Sequence, residues 1–528
     1  MLRRKWFLYL TEFFSGVSIM AIELGVSRLL APYFSSSQIV WTVIIGTIMI
    51  AMALGNLLGG RLADRDPDPD RLYARLLVIA VWCAAIPFAG KYVIAAISLA
   101  LALLGGQNFL IWASLLSCIV IFVFPLILLG TVSPSLVKYT VASLDESGRT
   151  VGELNALNTI GSIIGTFLPT FVTIPAVGTS LTFVIFSGIL LAISLAYFIA
   201  ERRRIVKCAI ALVLAAAFAV LSAFNSFALG ASEGEDVYED ESIYNYLLVT
   251  ETDREIRLST NVLFGVQSVK NKDGDLTGLY YDVALAAPLM ASSDDPEVLI
   301  LGFGSGTYAA QCRKYFPTSH IVGVEIDKKI IDLAYSRFGL DPNDENIETV
   351  EFDGRAYLRG TGQYDVIMVD AYRDITIPFQ LSSVEFFREV KEHLSDGGVM
   401  VVNLNMRSER EGSINEWLCD TIAAVFPEVY FVDSDGNREV FASCGGAAER
   451  LDAAESHLAD RELSILMTRV SRKLTRYEAG DLILTDDKAP VELLGMRVID
   501  ELISEELEYY RELLRGKNLF EMIELLKG

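Results

Sequence analysis

The stretch Val298–Asp327, VLILGFGSGTYAAQCRKYFPTSHIVGVEID, decides how the rest of the chain is read. Val298 to Leu301 is a short apolar run of the kind that forms a buried strand, and Gly302, Gly304 and Gly306 follow at once. A helix is predicted over Thr307–Tyr315, then a second apolar run, Ile321–Val324, that ends in Glu325 and Asp327. Glycines after a strand let the backbone approach a ligand, and an acid at the end of the next strand accepts hydrogen bonds from ribose hydroxyls. A tight strand-to-helix turn also wants glycine, so the glycines alone are weak evidence. The acid about 20 residues further on is what makes a nucleoside-binding α/β domain the expectation.

The stretch sits in the second half of a 528-residue chain whose halves differ in kind. Through Gly230 there are 15 Lys+Arg against 10 Asp+Glu, and the remainder carries 29 against 57. The first part is membrane-like and the second a strongly acidic soluble domain. That charge argues against nucleic acid and permits a cationic substrate. Six Cys and three His show no CxxC or His-Cys cluster, so no metal site is expected.

Arg3, Arg4 and Lys5 precede a long apolar segment from Trp6, too long for a removed signal peptide. Further apolar segments near 38–60, 74–104, 108–136, 154–175, 179–200 and 205–228 bring the expectation to about seven spans. Gly55, Gly59 and Gly60 suit close helix packing, and Pro87, Pro125 and Pro169 suggest kinks. Glu12 and Glu23 lie within the first segment, where acids are costly, with Arg28 as candidate partner. Basic loops at Arg3–Lys5, Arg61–Arg75, Lys138–Arg149 and Arg202–Lys207 fit six crossings to Ala200. A seventh crossing then puts the acidic domain outside the cell.

The expected domains are 1–230 transmembrane helices, 231–243 an acidic linker, 244–292 a small β unit and helix, and 293–528 a Rossmann-like domain. After the glycine loop, apolar strands at Glu348–Phe352, Val366–Val369 and Val399–Val402 alternate with helical stretches, the pattern of a doubly wound α/β sheet. Acids end them: Asp353-Gly354 after one, Asp370 after the next, with Asp374 four residues on. A single strand-end Asp is as readily a helix N-cap. Glu325, Asp353 and Asp370 in series point instead to one ligand crevice.

GFGSG, VEID, FDGRAYL, YDVIMVDAYRD, EFFREVKEHLSDGGVMVVN and the upstream GVQS…GLYYDVAL resemble the spermidine synthase (polyamine aminopropyltransferase) family over roughly Tyr244 to Asn405. The membrane half, through GNLLGGRLAD and GELNALNTIGSIIGTFLPTFVTIPAVG, and the closing LTDDKAPVELL are similar to its multi-pass membrane-fused members. The resemblance implies a class I methyltransferase-like fold and S-adenosylmethionine or its decarboxylated form as co-substrate, with no tightly bound cofactor. It implies that Glu325 holds the ribose, Asp353-Gly354 the adenine side, and Gln267 the nucleoside from the β unit. Gly302, Gly304 and Gly306 form the loop. Asp370 and Asp374 would orient and deprotonate an attacking amine, with Tyr280, Tyr281, Asp282 and Tyr372 around the acceptor. Departures fall on the acceptor side. Soluble members carry Asp at the place of Ser305 and His-Glu at the place of Tyr281-Asp282, and their loop acids are three apart.

Three readings compete: an aminopropyltransferase acting on an amine or polyamine, a methyltransferase acting on a lipid or membrane acceptor, and a transporter or sensor with a nucleoside- or polyamine-binding domain. The expected setting is the cell membrane, with lipid around the spans and a homodimer as the assembly. The donor is made in the cytoplasm, which favours a cytoplasmic catalytic domain against the charge count.

Overall fold

The computed structural model describes residues 5–498 apart from 36, 105–107, 142–146, 228–234, 262–264, 373–376, 406–407, 409 and 435. The chain divides into a helical unit from the first half, joined by Glu239–Tyr246, and an α/β unit formed by most of the second.

The helical unit comprises α1 (Lys5–Phe34), α2 (Gln38–Arg65), α3 (Pro69–Leu104), α4 (Phe109–Cys118), α5 (Phe124–Gly130), α6 (Val132–Thr140), α7 (Ser147–Leu168), α8 (Ile174–Ala200) and α9 (Ile205–Ala223). Among the described residues they form six runs long and apolar enough to cross a membrane. The fifth run, Ser147–Ala200, has 54 residues and leaves helical geometry at Gly178 (φ 79°, ψ 169°). A Cβ at Gly55 would sit 2.4 Å from the Ile127 carbonyl oxygen and one at Gly59 2.6 Å from Thr131 Cα, whereas Gly60 faces open space. The same device joins α1 to α7, where a Cβ at Gly161 or Gly165 would lie 2.1 Å from the carbonyl oxygen of Phe13 or Val17. Pro125 follows a π-helical turn, Ile119–Val123, and Pro169 opens another, Pro169–Thr173. A prolyl ring clashes with the carbonyl four residues back, and widening the turn relieves it. Pro87 stays inside an unbroken α3.

Glu12 is fully buried, accepting from Ser133. Arg28, expected beside Glu23, instead donates to the Ile243 carbonyl, because its position near the helix end faces the residues that follow β1.

Residues 235–241 of the expected linker form a strand, β1 (Glu235–Glu241), which corrects the reading of that segment as a linker. The apolar pair inside the acidic run is the cause: Val237 and Tyr238 pack against buried Leu247, Leu258 and Phe338. Glu241 is buried and accepts both the Thr179 hydroxyl, at 2.6 Å, and the Thr179 N–H, at the start of the helix arm after Gly178. β1 leads a four-stranded sheet with β2 (Tyr246–Glu251), β3 (Glu255–Thr260) and β4 (Ser268–Asn271) in that order.

The α/β domain holds an eight-stranded sheet of β5 (Glu297–Leu301), β6 (His320–Glu325), β7 (Ile347–Glu351), β8 (Tyr364–Val369), β9 (Leu394–Leu404), β10 (Glu428–Asp433), β11 (Arg438–Ser443) and β12 (Thr475–Arg476). The order is β12-β10-β11-β9-β8-β5-β6-β7. Strands β5 to β9 are parallel, and β11 enters antiparallel between β9 and β10. This is the methyltransferase-like Rossmann order, closed by an antiparallel edge that the apolar runs did not announce. Val298, Leu299, Ile300, Leu301, Val366 to Val369 and Val399 to Val402 are all essentially without exposed surface. Burial on both faces is what a parallel sheet requires, and its strand ends are left to face ligand.

Candidate active site

The crevice at the ends of β5 and β6 is built by backbone. Gly302, at φ 93°, follows β5 so closely against β8 that a Cβ there would stand 2.4 Å from the Asp370 carbonyl oxygen. The Gly302 and Phe303 N–H groups both donate to the Val324 carbonyl, at 2.9 and 3.1 Å, which folds the loop over the end of β6. Gly306, at φ 76°, opens α12 (Thr307–Tyr315), the helix the sequence predicts. Glu325 ends β6; its Oε2 accepts the Gly304 N–H at 3.1 Å and its Oε1 the Asp327 N–H at 3.2 Å. Those two bonds fix one orientation, and each oxygen keeps a lone pair for a ligand hydroxyl. The crevice walls shield the group although some of its surface stays open. Burial therefore pushes its carboxyl up, more than the backbone N–H bonds pull it down.

The adjoining pocket is built by side chains. Between β4 and β5 lie α10 (Tyr280–Ala284) and α11 (Ala286–Met290). Asp370, at the end of β8, accepts the Tyr280 hydroxyl at 2.6 Å on Oδ2 and the Asn403 amide at 2.8 Å on Oδ1. Asn403 is held in turn by Asn437, whose amide donates to its Oδ1 at 2.6 Å. Tyr372 donates to the Asn403 carbonyl and accepts the Asn405 N–H at 3.0 Å. Burial lifts the Asp370 carboxyl from the ordinary 3.8 to about 7; the Tyr280 and Asn403 bonds hold it down and the Glu325 charge adds to the rise. A carboxyl that titrates near neutrality, oriented by two donors, can act as a general base. The Tyr280 and Tyr372 hydroxyls are both pushed far up, first by burial and then by Asp370, so they remain donors.

The other expected residues fall into place unevenly. Asp353 is exposed and caps α13-following helix α14 (Gly354–Leu358), where α13 is Lys328–Ser336; it accepts the Ala356 N–H at 2.9 Å. The Gln267 carbonyl accepts the buried Tyr281 hydroxyl at 3.1 Å, and the Tyr280 and Tyr281 rings lie 3.9 Å apart. Asp282 is engaged within the protein: Oδ1 accepts from Thr277 (N–H 3.1 Å, hydroxyl 3.0 Å) and Gln311 (2.7 Å), and Oδ2 accepts the Gly278 N–H at 2.6 Å. It shapes the turn before α10. Ser305 is buried, its hydroxyl 3.0 Å from that of Thr307, which itself donates to the Val269 carbonyl on β4. Asp374 lies outside the described residues.

Asn403, Asn437 and Glu439 were not anticipated. Asn403 ends the apolar run VMVV just as Asp370 ends VIMV, so the rule that picked out Asp370 also reaches it. Glu439 is the one acid of the strand REVFAS, next to Arg438, and that is the signal it offers.

A parallel sheet whose strand ends carry a glycine loop, an acid after the next strand and a near-neutral carboxyl across from it has the arrangement of nucleoside-using α/β transferases. The Spermine/spermidine synthase domain model matches residues 279–432. A Bifidobacterium longum protein named "Probable polyamine aminopropyl transferase" is 47% identical over 347 residues, which cover 62% of this chain and 76% of its own length. A Vibrio vulnificus polyamine aminopropyltransferase is 28% identical over 217 residues, 39% of this chain and 71% of that one. The chain belongs to the polyamine aminopropyltransferase family. The solved spermidine synthase from Thermotoga maritima overlaps 44% of this chain and 83% of its own at 19% identity, with a TM-score of 0.38.

Proposed function

We propose that this protein transfers an aminopropyl group from decarboxylated S-adenosylmethionine to an amine, at a membrane-held site. Glu325 accepts the two ribose hydroxyls, the Gly302–Gly306 loop lies against the nucleoside, and Asp353-Gly354 borders the adenine. Asp370 holds the acceptor nitrogen. That nitrogen attacks the carbon bonded to the sulfonium; the carbon–sulfur bond breaks and its electron pair stays on sulfur, leaving methylthioadenosine. The proton from nitrogen passes to Asp370. The observation that carries this reading is Asp370 itself, lifted to about 7 and fixed by Tyr280 and Asn403. Positioning of the amine and removal of its proton are the two services such a group supplies.

The six apolar runs support a multi-pass membrane protein. The break at Gly178 splits the fifth into two arms, which supports six crossings up to Ala200. With the segment from Ile205 lying along the membrane rather than making a seventh crossing, the catalytic domain stays on the cytoplasmic side, and a homodimer in contact with lipid belongs to the same proposal.

Incubation of the full chain with decarboxylated S-adenosylmethionine and a panel of diamines should release methylthioadenosine. Consumption of intact S-adenosylmethionine with no amine-dependent release would overturn the reading in favour of methyl transfer. Labelling of a cysteine placed at Ser232 by an impermeant maleimide in intact cells would overturn the cytoplasmic placement.

A further inference from the structure

Arg355 is the second residue of α14, a helix of five residues that is too short to be stable by itself. What it is bonded to decides where it lies. The Arg355 side chain is buried, and its guanidinium is fully engaged. Nε and Nη2 donate to the two oxygens of Glu389, at 3.0 and 2.8 Å. Nη1 and Nη2 donate to the two oxygens of Asp486, at 2.8 and 3.0 Å, and Nη1 also to the Gln380 carbonyl at 3.0 Å. Glu389 belongs to α15 (Val384–Glu392) and Gln380 to the 3-10 turn Phe379–Leu381. A planar guanidinium held by two forked pairs is fixed in direction as well as distance.

Asp486 comes from LTDDKAPVELL, beyond the 279–432 span of the synthase domain. Its segment is built into the α/β domain. The Val384 N–H donates to the Leu484 carbonyl at 2.9 Å, the Leu484 N–H to the Thr421 hydroxyl at 3.0 Å, and the Asp486 N–H to Glu385 at 3.0 Å. Asp486 also accepts the hydroxyl of Ser383, the residue that caps α15. The other end of this chain of bonds reaches the crevice. The Phe352 N–H donates to the Glu325 carbonyl at 3.1 Å. A Cβ on Gly354 would lie 3.6 Å from the Cβ of Leu301, the residue before Gly302. The first turn of α14 is therefore part of the crevice wall, and Arg355 is the side chain that holds it.

We infer that Asp486 is a positioning residue for the nucleobase: through Arg355 it sets the first turn of α14, and with it the fit of the base. This rests on the reading above that Asp353-Gly354 borders the adenine. The charges explain why two acids flank one arginine. Glu389 also accepts from Arg359, at 3.1 and 2.7 Å, so its charge is shared between two cations. Asp486 supplies the second negative charge. Without it Arg355 keeps the Gln380 carbonyl and a carboxylate that Arg359 also draws on. Because Asp486 acts through Arg355, its loss changes how the base is held and not how the amine is held.

Calorimetry on the full chain in detergent tests this, with methylthioadenosine, methylthioinosine and 1,4-diaminobutane as probes, the diamine added with methylthioadenosine saturating. The two nucleosides differ only at the edge of the base. Asp486→Asn should weaken methylthioadenosine about two- to fivefold, the worth of a partly exposed ion pair. The preference for methylthioadenosine over methylthioinosine should narrow, and the diamine should bind as in the wild type. Asp486→Glu, which keeps the charge, should recover part of the loss. Arg355→Lys, which keeps the charge and loses the fork, should weaken methylthioadenosine about tenfold. Adding Asp486→Asn to it should cost little more, because both act through one contact. Methylthioadenosine affinity in Asp486→Asn equal to wild type overturns the inference. So do fully additive effects in the double variant, and so does an equal loss of nucleoside and diamine, which marks a structural role. Turnover is a separate readout: nucleoside binding that depends on Asp486, without methylthioadenosine release from the decarboxylated donor, would sink the transfer reaction and leave this inference standing.

Discussion

The proposed donor crevice and the proposed acceptor pocket share an edge of one sheet, yet they are made in different ways. Glu325 is held by the backbone N–H groups of Gly304 and Asp327, all within the 30 residues quoted at the outset. Asp370 is held by side chains from α10 and β9, and Asn403 by Asn437 from the turn before β11. Contacts that a local backbone makes are written in a contiguous stretch. Contacts between side chains far apart in sequence depend on the closed fold. Such a pocket can change its residues without disturbing the sheet, whereas the crevice cannot lose Gly302 without a clash at the Asp370 carbonyl.

The strongest way to break this comparison is to remove the charge on the acceptor side alone. Asp370→Asn keeps the shape and should lower turnover by about 10²–10⁴, the worth of a positioned general base, while the donor dissociation constant hardly moves. In the wild type, kcat/KM should rise with pH through about 7, because the base works only when ionised and burial has lifted it there. A rate independent of pH from 5 to 9, or a variant as fast as wild type, would remove Asp370 from the mechanism. Next in size, Glu325→Ala acts on the donor side alone. Loss of the acceptor for the ribose diol costs about 1.5–3 kcal/mol, so donor affinity should fall at least about tenfold with diamine affinity unchanged.

How far the sequence carried the reading follows the same division. The β5–loop–α12–β6 unit was legible because apolar runs, glycines and a strand-end acid each have a local physical cause. The helical runs were legible by length and apolarity, and two of three prolines met a widened turn. The strand hidden in the acidic segment 235–241 was not: its net charge outweighed the Val237–Tyr238 pair that packs against Phe338. β10 to β12 were missed, although β10 ends in Asp433 and Gly445 and Gly446 follow β11. Asp282 read as a ligand contact since nothing in the sequence reveals that Thr277, Gly278 and Gln311 converge on it. Arg355 escaped notice for the same reason. It is buried, pairs with Glu389 and Asp486, and so ties FDGRAYL to LTDDKAPVELL across the domain.

A smaller effect should come from Tyr280→Phe, which removes one donor from Asp370 and leaves the ring. The bond favours the ionised carboxylate, so its loss should raise the carboxyl further, by about one unit for each 1.4 kcal/mol. The rising limb of kcat/KM should move to higher pH by about that unit. At pH 7 the variant should then be roughly fivefold slow, and it should recover at pH 9. An unmoved limb with a lower plateau would mean that Tyr280 touches the acceptor rather than tuning the acid.

The smallest effect is expected at Asp353, and it sharpens the line between a cap and a ligand. Asp353 is exposed, ends the turn after β7, and accepts the Ala356 N–H at the start of α14. Asn caps a helix about as well as Asp, whereas Ala costs about 0.5–2 kcal/mol. Asp353→Asn should therefore leave thermal stability unchanged, and Asp353→Ala should lower it. The donor tells the rest. If the carboxylate also borders the adenine, Asp353→Asn should weaken donor binding severalfold, because a charged acceptor bonds more strongly than an amide oxygen. Asp353→Ala should weaken it by no more than a further severalfold, since a five-residue helix is a small part of the crevice wall. Donor affinity untouched by Asp353→Asn, with stability lost only in Asp353→Ala, would make this acid a cap alone, and the crevice would then rest on Glu325 and the glycine loop.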